Sequence, residues 1–150
     1  MTMKRNTLYL VAGILLMLSL FSCSKGGTTT EQQDGGDGPH VIIPNDITAP
    51  EINISTPVPG QVFRNGNVIA ITGQLTDDYG LYRGTIRVTN DAGGTVLLNQ
   101  PYEIHGFLHY DFSLNHTAAV TAPADYTVTV SFEDHGLNTT TKAVKIKVNP

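Results

Sequence analysis

The sequence predicts an all-β domain, an antiparallel β-sandwich of about seven strands behind a secretory leader and a flexible linker. Three observations predict it. From Glu51 onward, apolar and polar residues alternate in short runs, the period of a strand with one face buried and one wet. Those runs are punctuated by clusters rich in Gly, Pro, Asn and Asp: TPVPGQ, TDDYG, NDAGG, LNHTAAVTAPA and EDHGLN. No stretch carries a helical period of useful length.

In chain order the predicted strands cover residues 51–56, 68–76, 81–89, 95–100, 103–114, 126–133 and 141–149. Their alternation picks out the core faces. Ile69, Ile71 and Leu75 share one side of the second strand, and Tyr82, Ile86 and Val88 one side of the third. Ile104, Leu108, Tyr110, Phe112 and Leu114 line the fifth; Tyr126, Val128, Val130 and Phe132 line the sixth; Val144, Ile146 and Val148 line the last. Seven short strands in about a hundred residues fit an immunoglobulin-like sandwich. Tyr126 follows the loop segment APAD, where such sandwiches place a tyrosine that closes a corner through its hydroxyl. The Cys–Trp–Cys core of antibody domains is absent, because the chain has no Trp and one Cys.

That lone cysteine, Cys23, sits in LSLFSCSKGG, between an apolar run and a polar one. Lys4 and Arg5 precede the apolar run 8–22, which has the layout of a secretory signal and is shorter than the roughly twenty residues a spanning helix needs. Leu20-Phe21-Ser22-Cys23 resembles a bacterial lipobox, which implies that residues 1–22 are removed and Cys23 is lipidated. Each buried methylene of an acyl chain is worth about 0.8 kcal/mol, so several chains give lasting attachment to a membrane. With Cys23 lipidated no disulfide is available, and stability has to come from an apolar core. Segment 23–45 is rich in Gly, Thr, Gln and Asp and buries too little surface to fold. As a flexible coil it spans roughly 25 Å. VIIP, residues 41–44, is a short apolar patch within it that can dock on the domain or pair with an edge strand. The folded domain is expected over 46–150.

From Asp46 onward the chain resembles bacterial Ig-like modules of surface lipoproteins and adhesins. DITAPEI and PVPG match how such modules open, GQLTDDYGL their second strand and following loop, and DYTVTVSFEDHGLN their closing hairpin. Leu137 there splits the usual Gly-Asn pair, which predicts a loop of different shape. The order of these pieces behind one lipobox resembles a group of single-domain Bacteroidota lipoproteins, the domain of unknown function 4625 family. The resemblance implies lipid anchorage at a bacterial outer membrane.

Three constellations are candidate sites. In an Ig-like sandwich the domain entry, the loop after the second strand and the loop before the last strand share one pole. That gathers Asp46, Asp77, Asp78, Asp134 and Asn138, oxygen ligands of the kind calcium takes, although Asp and Asn are also ordinary turn residues. His105, His109 and Asp111 alternate onto one strand face, with His116 and His135 elsewhere. His105 and His109 would be about 13–14 Å apart along a strand, too far for one ion, so they read as solvent-facing residues. Finally, Arg83, Thr85 and Arg87, then Thr127, Thr129 and Ser131, then Lys145 and Lys147 fall opposite the core on strands that neighbour one another in this fold. They predict a basic, hydroxyl-lined sheet face suited to an anionic glycan, a carboxylate or an acidic protein patch, or else a guard against edge-to-edge aggregation.

Composition excludes other classes. The formal net charge of −4 becomes −6 once Lys4 and Arg5 leave with the signal, and no basic tract offers a grip on nucleic acid. No nucleophile elbow, zinc-helix motif, phosphate-cradling loop or free thiol supports catalysis. The expectation is therefore a non-enzymatic, membrane-tethered module without an obligatory cofactor, calcium being the one candidate. It would recognise a protein or glycan or serve as a periplasm-facing scaffold of an envelope or nutrient-uptake complex. Exposed Tyr79, Tyr102 and Phe107 would favour glycan; a long unpaired edge strand would favour protein.

Overall fold

The computed structural model describes residues 41–150; the predicted leader, Cys23 and the linker as far as His40 lie outside the described residues. Eight strands follow: β1 (Glu51–Thr56), β2 (Val62–Arg64), β3 (Val68–Thr76), β4 (Leu81–Asn90), β5 (Thr95–Glu103), β6 (His109–Thr117), β7 (Ala124–Asp134) and β8 (Thr139–Asn149). One sheet has the order β1-β3-β6 and the other β2-β8-β7-β4-β5. Pairing is antiparallel except for the short β2, which runs parallel to β8 with Phe63 opposite Val148. This is the predicted Ig-like β-sandwich.

The alternation works as the sequence implies. Along β7 each residue from Tyr126 to Phe132 switches side, with Tyr126, Val128, Val130 and Phe132 buried and Thr127, Thr129 and Ser131 on the other face. Ile69, Ile71 and Leu75 of β3 and Ile86 and Val88 of β4 are fully buried. Each sheet also seats a large ring on a glycine across the strand pair. Phe112 faces Gly73 between β6 and β3, and Phe132 faces Gly84 between β7 and β4. A Cβ at Gly73 would collide with the Phe112 ring and the Asn53 carbonyl oxygen; one at Gly84 would collide with the Phe132 ring. The missing side chain lets the ring lie flat over the backbone, so no void is left where two bulky residues could not both fit. The Tyr126 hydroxyl donates to the Ala119 carbonyl at 3.1 Å and closes the loop ahead of β7, the corner its position predicts.

Three expectations are corrected. The segment 103–114 is not one strand: β5 ends at Glu103, and the chain turns before β6 opens at His109. The turn is tied down by Ile104 N–H to the Tyr82 carbonyl, Gly106 N–H to the Leu81 carbonyl and Leu81 N–H to the Phe107 carbonyl, all at 2.9 Å. It carries the chain from one sheet to the other, so Ile104 stays buried while Leu108 is 48% exposed rather than in the core. The strand β2 is additional. And Tyr82 is only half-buried, because a register shift between Leu81 and Arg83 turns Leu81 into the core in its place. The VIIP segment docks on the domain, one of the two fates its sequence allows: Ile43 N–H donates to the His135 carbonyl at 2.9 Å, and the His135 ring Nδ1–H to the Val41 carbonyl at 3.0 Å.

The β7–β8 hairpin departs from the commonest pattern at Leu137, whose φ of 68° lies in the left-handed region that bulky residues avoid. Two outcomes follow for thermal unfolding. Leu137→Gly should stabilise the domain by about 0.5 kcal/mol, the relief of left-handed strain exceeding the glycine's added unfolded-state entropy. Tyr126→Phe should cost about 1 kcal/mol, a drop in melting temperature of roughly 4–8 °C, since only the corner hydrogen bond is lost.

Candidate functional site

Three loops converge at the pole where the chain enters. Asp46 closes a turn by donating its N–H to the Ile43 carbonyl at 3.1 Å, and its Oδ1 accepts from Thr48 N–H at 3.1 Å. Asp77 follows β3, and its Oδ2 accepts from Gly80 N–H at 2.6 Å and Tyr79 N–H at 3.1 Å, folding the β3–β4 loop around the carboxylate. Asp134 ends β7, and its two oxygens accept from the backbone N–H of Asn138 at 2.8 Å and its side-chain amide at 3.0 Å. The same Asn138 amide reaches the Asp46 carbonyl at 3.1 Å, so it stitches the entry segment to the hairpin. Gly136 permits that approach: a Cβ there would stand 2.6 Å from the Asp46 carbonyl oxygen and 2.7 Å from the Asn138 amide.

The result is a buried acidic triad. One carboxylate oxygen from each of Asp46, Asp77 and Asp134 lies within 4.8 Å of the others. Asp134 is fully buried and Asp46 is 3% exposed. Asp46 Oδ2 and Asp77 Oδ1 are buried with no hydrogen-bond partner. Burial pushes the Asp77 carboxyl above its ordinary range, the N–H bonds from Gly80 and Tyr79 oppose this, and repulsion from Asp134 and Asp46 adds to it. Beside the triad a hollow of ≈ 290 Å³ opens, lined by Thr48, Ala49, Glu51, Thr76, Asp77 and Asp78. Of the five residues the sequence nominates for this pole, the fold joins three as acceptors and sets Asn138 behind them as a donor. Asp78 is exposed and stands outside the triad. Thr48 and Gly136 were not foreseen; the only signal was Gly136 within EDHGLN, a turn cluster like the others.

The histidines do not gather as one group. His105 lies in the β5–β6 turn rather than on a strand, its ring 4.7 Å from that of Tyr82 and 5.6 Å from that of His135, with Nε2 3.3 Å from Glu103. His135, outside that strand, is 9% exposed. His109 on β6 pairs with Asp111 at 3.2 Å. His116 stands near Tyr126, where burial pulls its pKa down.

The outer face of the five-stranded sheet does bring the third set onto adjacent strands: Arg87 opposes Thr129 and Thr127 opposes Lys145. It is not a free positive field, however. Arg83 pairs with Glu133 at 3.2 Å, Lys145 with Asp91 at 3.2 Å and Lys147 with Asp125 at 3.8 Å. Arg87 donates to Asn99 at 3.1 Å, and Thr127 to Asp91 at 2.7 Å. The Thr127 hydroxyl and then Lys145 hold the Asp91 carboxyl below its usual range. Asp91, just beyond β4, and Asp125 and Glu133, near the two ends of β7, thus pair with the cations, and exposed pairs of this kind stabilise by only about 0–1 kcal/mol. A hollow of ≈ 190 Å³ near Arg83, Thr85 and Ser131 is shallow sheet surface. Nor is there an aromatic platform: Tyr102 packs on Tyr110 and Phe132, and Phe107 on Tyr110, leaving Tyr79 as the exposed member of the predicted three.

No family model matches the chain, and no curated protein matches it. Among solved structures, it is similar to fibronectin(III)-like modules of CbhA from Clostridium thermocellum, at 14% identity and a TM-score of 0.43, covering 65% of this chain and 94% of that one. It is also similar to the CARDB domain of a Pyrococcus furiosus protein solved in complex with di-metal ions, at 15% identity and a TM-score of 0.38, covering 68% and 93%.

Proposed function

We propose that this chain is a lipid-anchored recognition module of the bacterial outer membrane, and that its Ig-like domain binds an extended segment of an envelope or surface protein along the open edge of β6. The observation that carries the binding half is that edge. β6 pairs with β3 over nine consecutive residues, Val68 with Thr117 through to Thr76 with His109, and among the described residues no strand pairs with its other side. It contains no Pro, no Lys and no bulge. The comparable edge strand β5 carries Pro101 and a register shift at Leu97, devices that discourage added strands. A regular open edge supplies main-chain donors and acceptors for strand addition, and alternate side chains supply selectivity. The packed-down Tyr102 and Phe107 favour a protein ligand over a sugar, which needs an exposed ring to stack on.

The tether half is supported by the lipobox at Cys23 and the Gly-rich linker behind it. No described helix is long and apolar enough to cross a membrane. A filled sandwich leaves little room for a reaction cleft, which supports a non-catalytic role.

Both halves are testable in cells. Cys23→Ala should move the protein from the membrane to the soluble fraction, and protease applied to intact cells should release the wild-type domain by cutting the linker. Protection until the outer membrane is opened would instead support the periplasm-facing scaffold. A photo-crosslinker at Asn115 on β6 should capture a discrete envelope protein, while one at Ala143 on β8 should not. Equal capture from both positions, or none from either, would remove the edge from consideration.

A further inference from the structure

We infer that Asp46, Asp77 and Asp134 form a calcium site that fastens the entry segment of the chain to the pole of the domain. This does not depend on the tether or on the β6 edge. Three carboxylates meet with their charges directed at one another, two of them on residues almost wholly removed from water. Burying ionised carboxylates without a counter-charge is among the costliest arrangements a folded protein can hold. Local hydrogen bonds account for four of their six oxygens, both of those on Asp134 among them. Asp46 Oδ1 and Asp77 Oδ2 satisfy local N–H groups, whereas the opposite oxygen of each, Asp46 Oδ2 and Asp77 Oδ1, is buried and unpartnered. Oxygens so placed are available to ligate a cation.

The donor set selects the kind of cation. All three ligands are carboxylate oxygens, with no thiolate or imidazole in the group, which suits a hard ion. The His135 Nδ1, next in sequence to Asp134, is already committed to the Val41 carbonyl. Two ligands on opposite sides of an ion are separated by twice the bond length. Oxygens that lie within 4.8 Å of one another can share one ion at calcium's bond length of about 2.4 Å, and a cage of protein oxygens suits calcium, whereas magnesium dehydrates reluctantly and keeps its waters. The outer oxygens are already held by N–H donors from Thr48, Tyr79, Gly80 and Asn138, so the carboxylates are oriented before the ion arrives. Further ligands from water or main-chain carbonyls would complete the six to eight that calcium takes.

Each ligand comes from a different segment: the entry turn, the β3–β4 loop and the end of β7. A bound ion would therefore add to the hydrogen bonds that already link these segments: those of Asn138 and His135 to the entry segment, and the His135 N–H to the Gly80 carbonyl at 3.0 Å.

The test uses the full chain in detergent, stripped with EGTA and titrated with calcium chloride, read by calorimetry and by thermal unfolding. One calcium per chain should bind with a dissociation constant on the order of 10⁻⁶–10⁻³ M, and saturation should raise the melting temperature by several degrees. Asp77→Asn should abolish that rise. In EGTA it should melt no lower than wild type, because the amide keeps an acceptor for Gly80 and Tyr79 while removing one buried charge. Asp78→Asn should respond like wild type. Absence of heat and of any melting shift at about 10 mM calcium would overturn the proposal; so would an undiminished response in Asp77→Asn, or an equal response to magnesium.

Discussion

Everything else in this domain depends on the packing of two alternating apolar faces against each other, because no covalent staple is available. The single cysteine lies far outside the sandwich in sequence, and neither sheet contains another. Each fully buried Val, Leu, Ile or Phe contributes roughly 1.5–3 kcal/mol. The central strand β7 contributes Val128, Val130 and Phe132, together with Tyr126, the largest fully buried side chain, in one unbroken alternation. The same device secures both sheets. A phenylalanine lies over a cross-strand glycine, Phe112 on Gly73 and Phe132 on Gly84, so each ring fills the space its partner leaves. Bulk and absence of bulk are matched across strands, which fixes register as well as density.

A core filled in this way confines function to the perimeter. What is left is two poles, the outer sheet faces and the sheet edges, and these differ in how much unsatisfied chemistry they hold. On the outer face of the five-stranded sheet Arg83, Arg87, Lys145 and Lys147 each have a polar or acidic partner, so little of their potential is left to attract a ligand. At the entry pole the reverse holds: acidic groups are concentrated, buried and short of donors. Stability from the core sustains an arrangement there that would not stand alone, the usual relation between a scaffold and a site.

Most of this was legible in the sequence where parity carries the information. Strand positions and inward faces on β3, β7 and β8, and on β4 from Ile86 onward, followed from alternation; at the start of β4 a register shift puts Leu81 in the core where parity points to Tyr82. The convergence of Asp46, Asp77 and Asp134 followed from topology, since their loops share a pole. Parity also explains the misreading at 103–114. Ile104 and Tyr110 fall on the same phase, so a turn of five residues between them leaves the alternation intact, and only Gly106 marks it. The strand β2 is three residues long with one buried member, too short to show a period. The neutralised outer face was hidden for another reason. Asp91 and Asp125 lie at or beyond the strand ends, and a face-by-face reading of strand interiors does not include them. Asp78 and Asp77 are indistinguishable as letters, and only the Asx turn that folds Tyr79 and Gly80 around Asp77 sends one inward and the other out.

The acidic pole and the open edge meet at a single main-chain contact. Asp77 N–H donates to the Leu108 carbonyl at 2.9 Å, and the next residue, His109, opens β6 opposite Thr76. The start of the edge strand is therefore braced by the same residue whose carboxylate enters the triad. Neutralising that carboxylate with an ion removes the repulsion that works against its loop, and the loop is what positions the Leu108 carbonyl. Leu108 itself is exposed and contributes little packing of its own, so the start of β6 is held by main-chain hydrogen bonds, this one and the pairing with β3. Charge at the pole and order at the edge are thus linked through backbone rather than through the core. That allows both to change while the sandwich beneath them stays as it is.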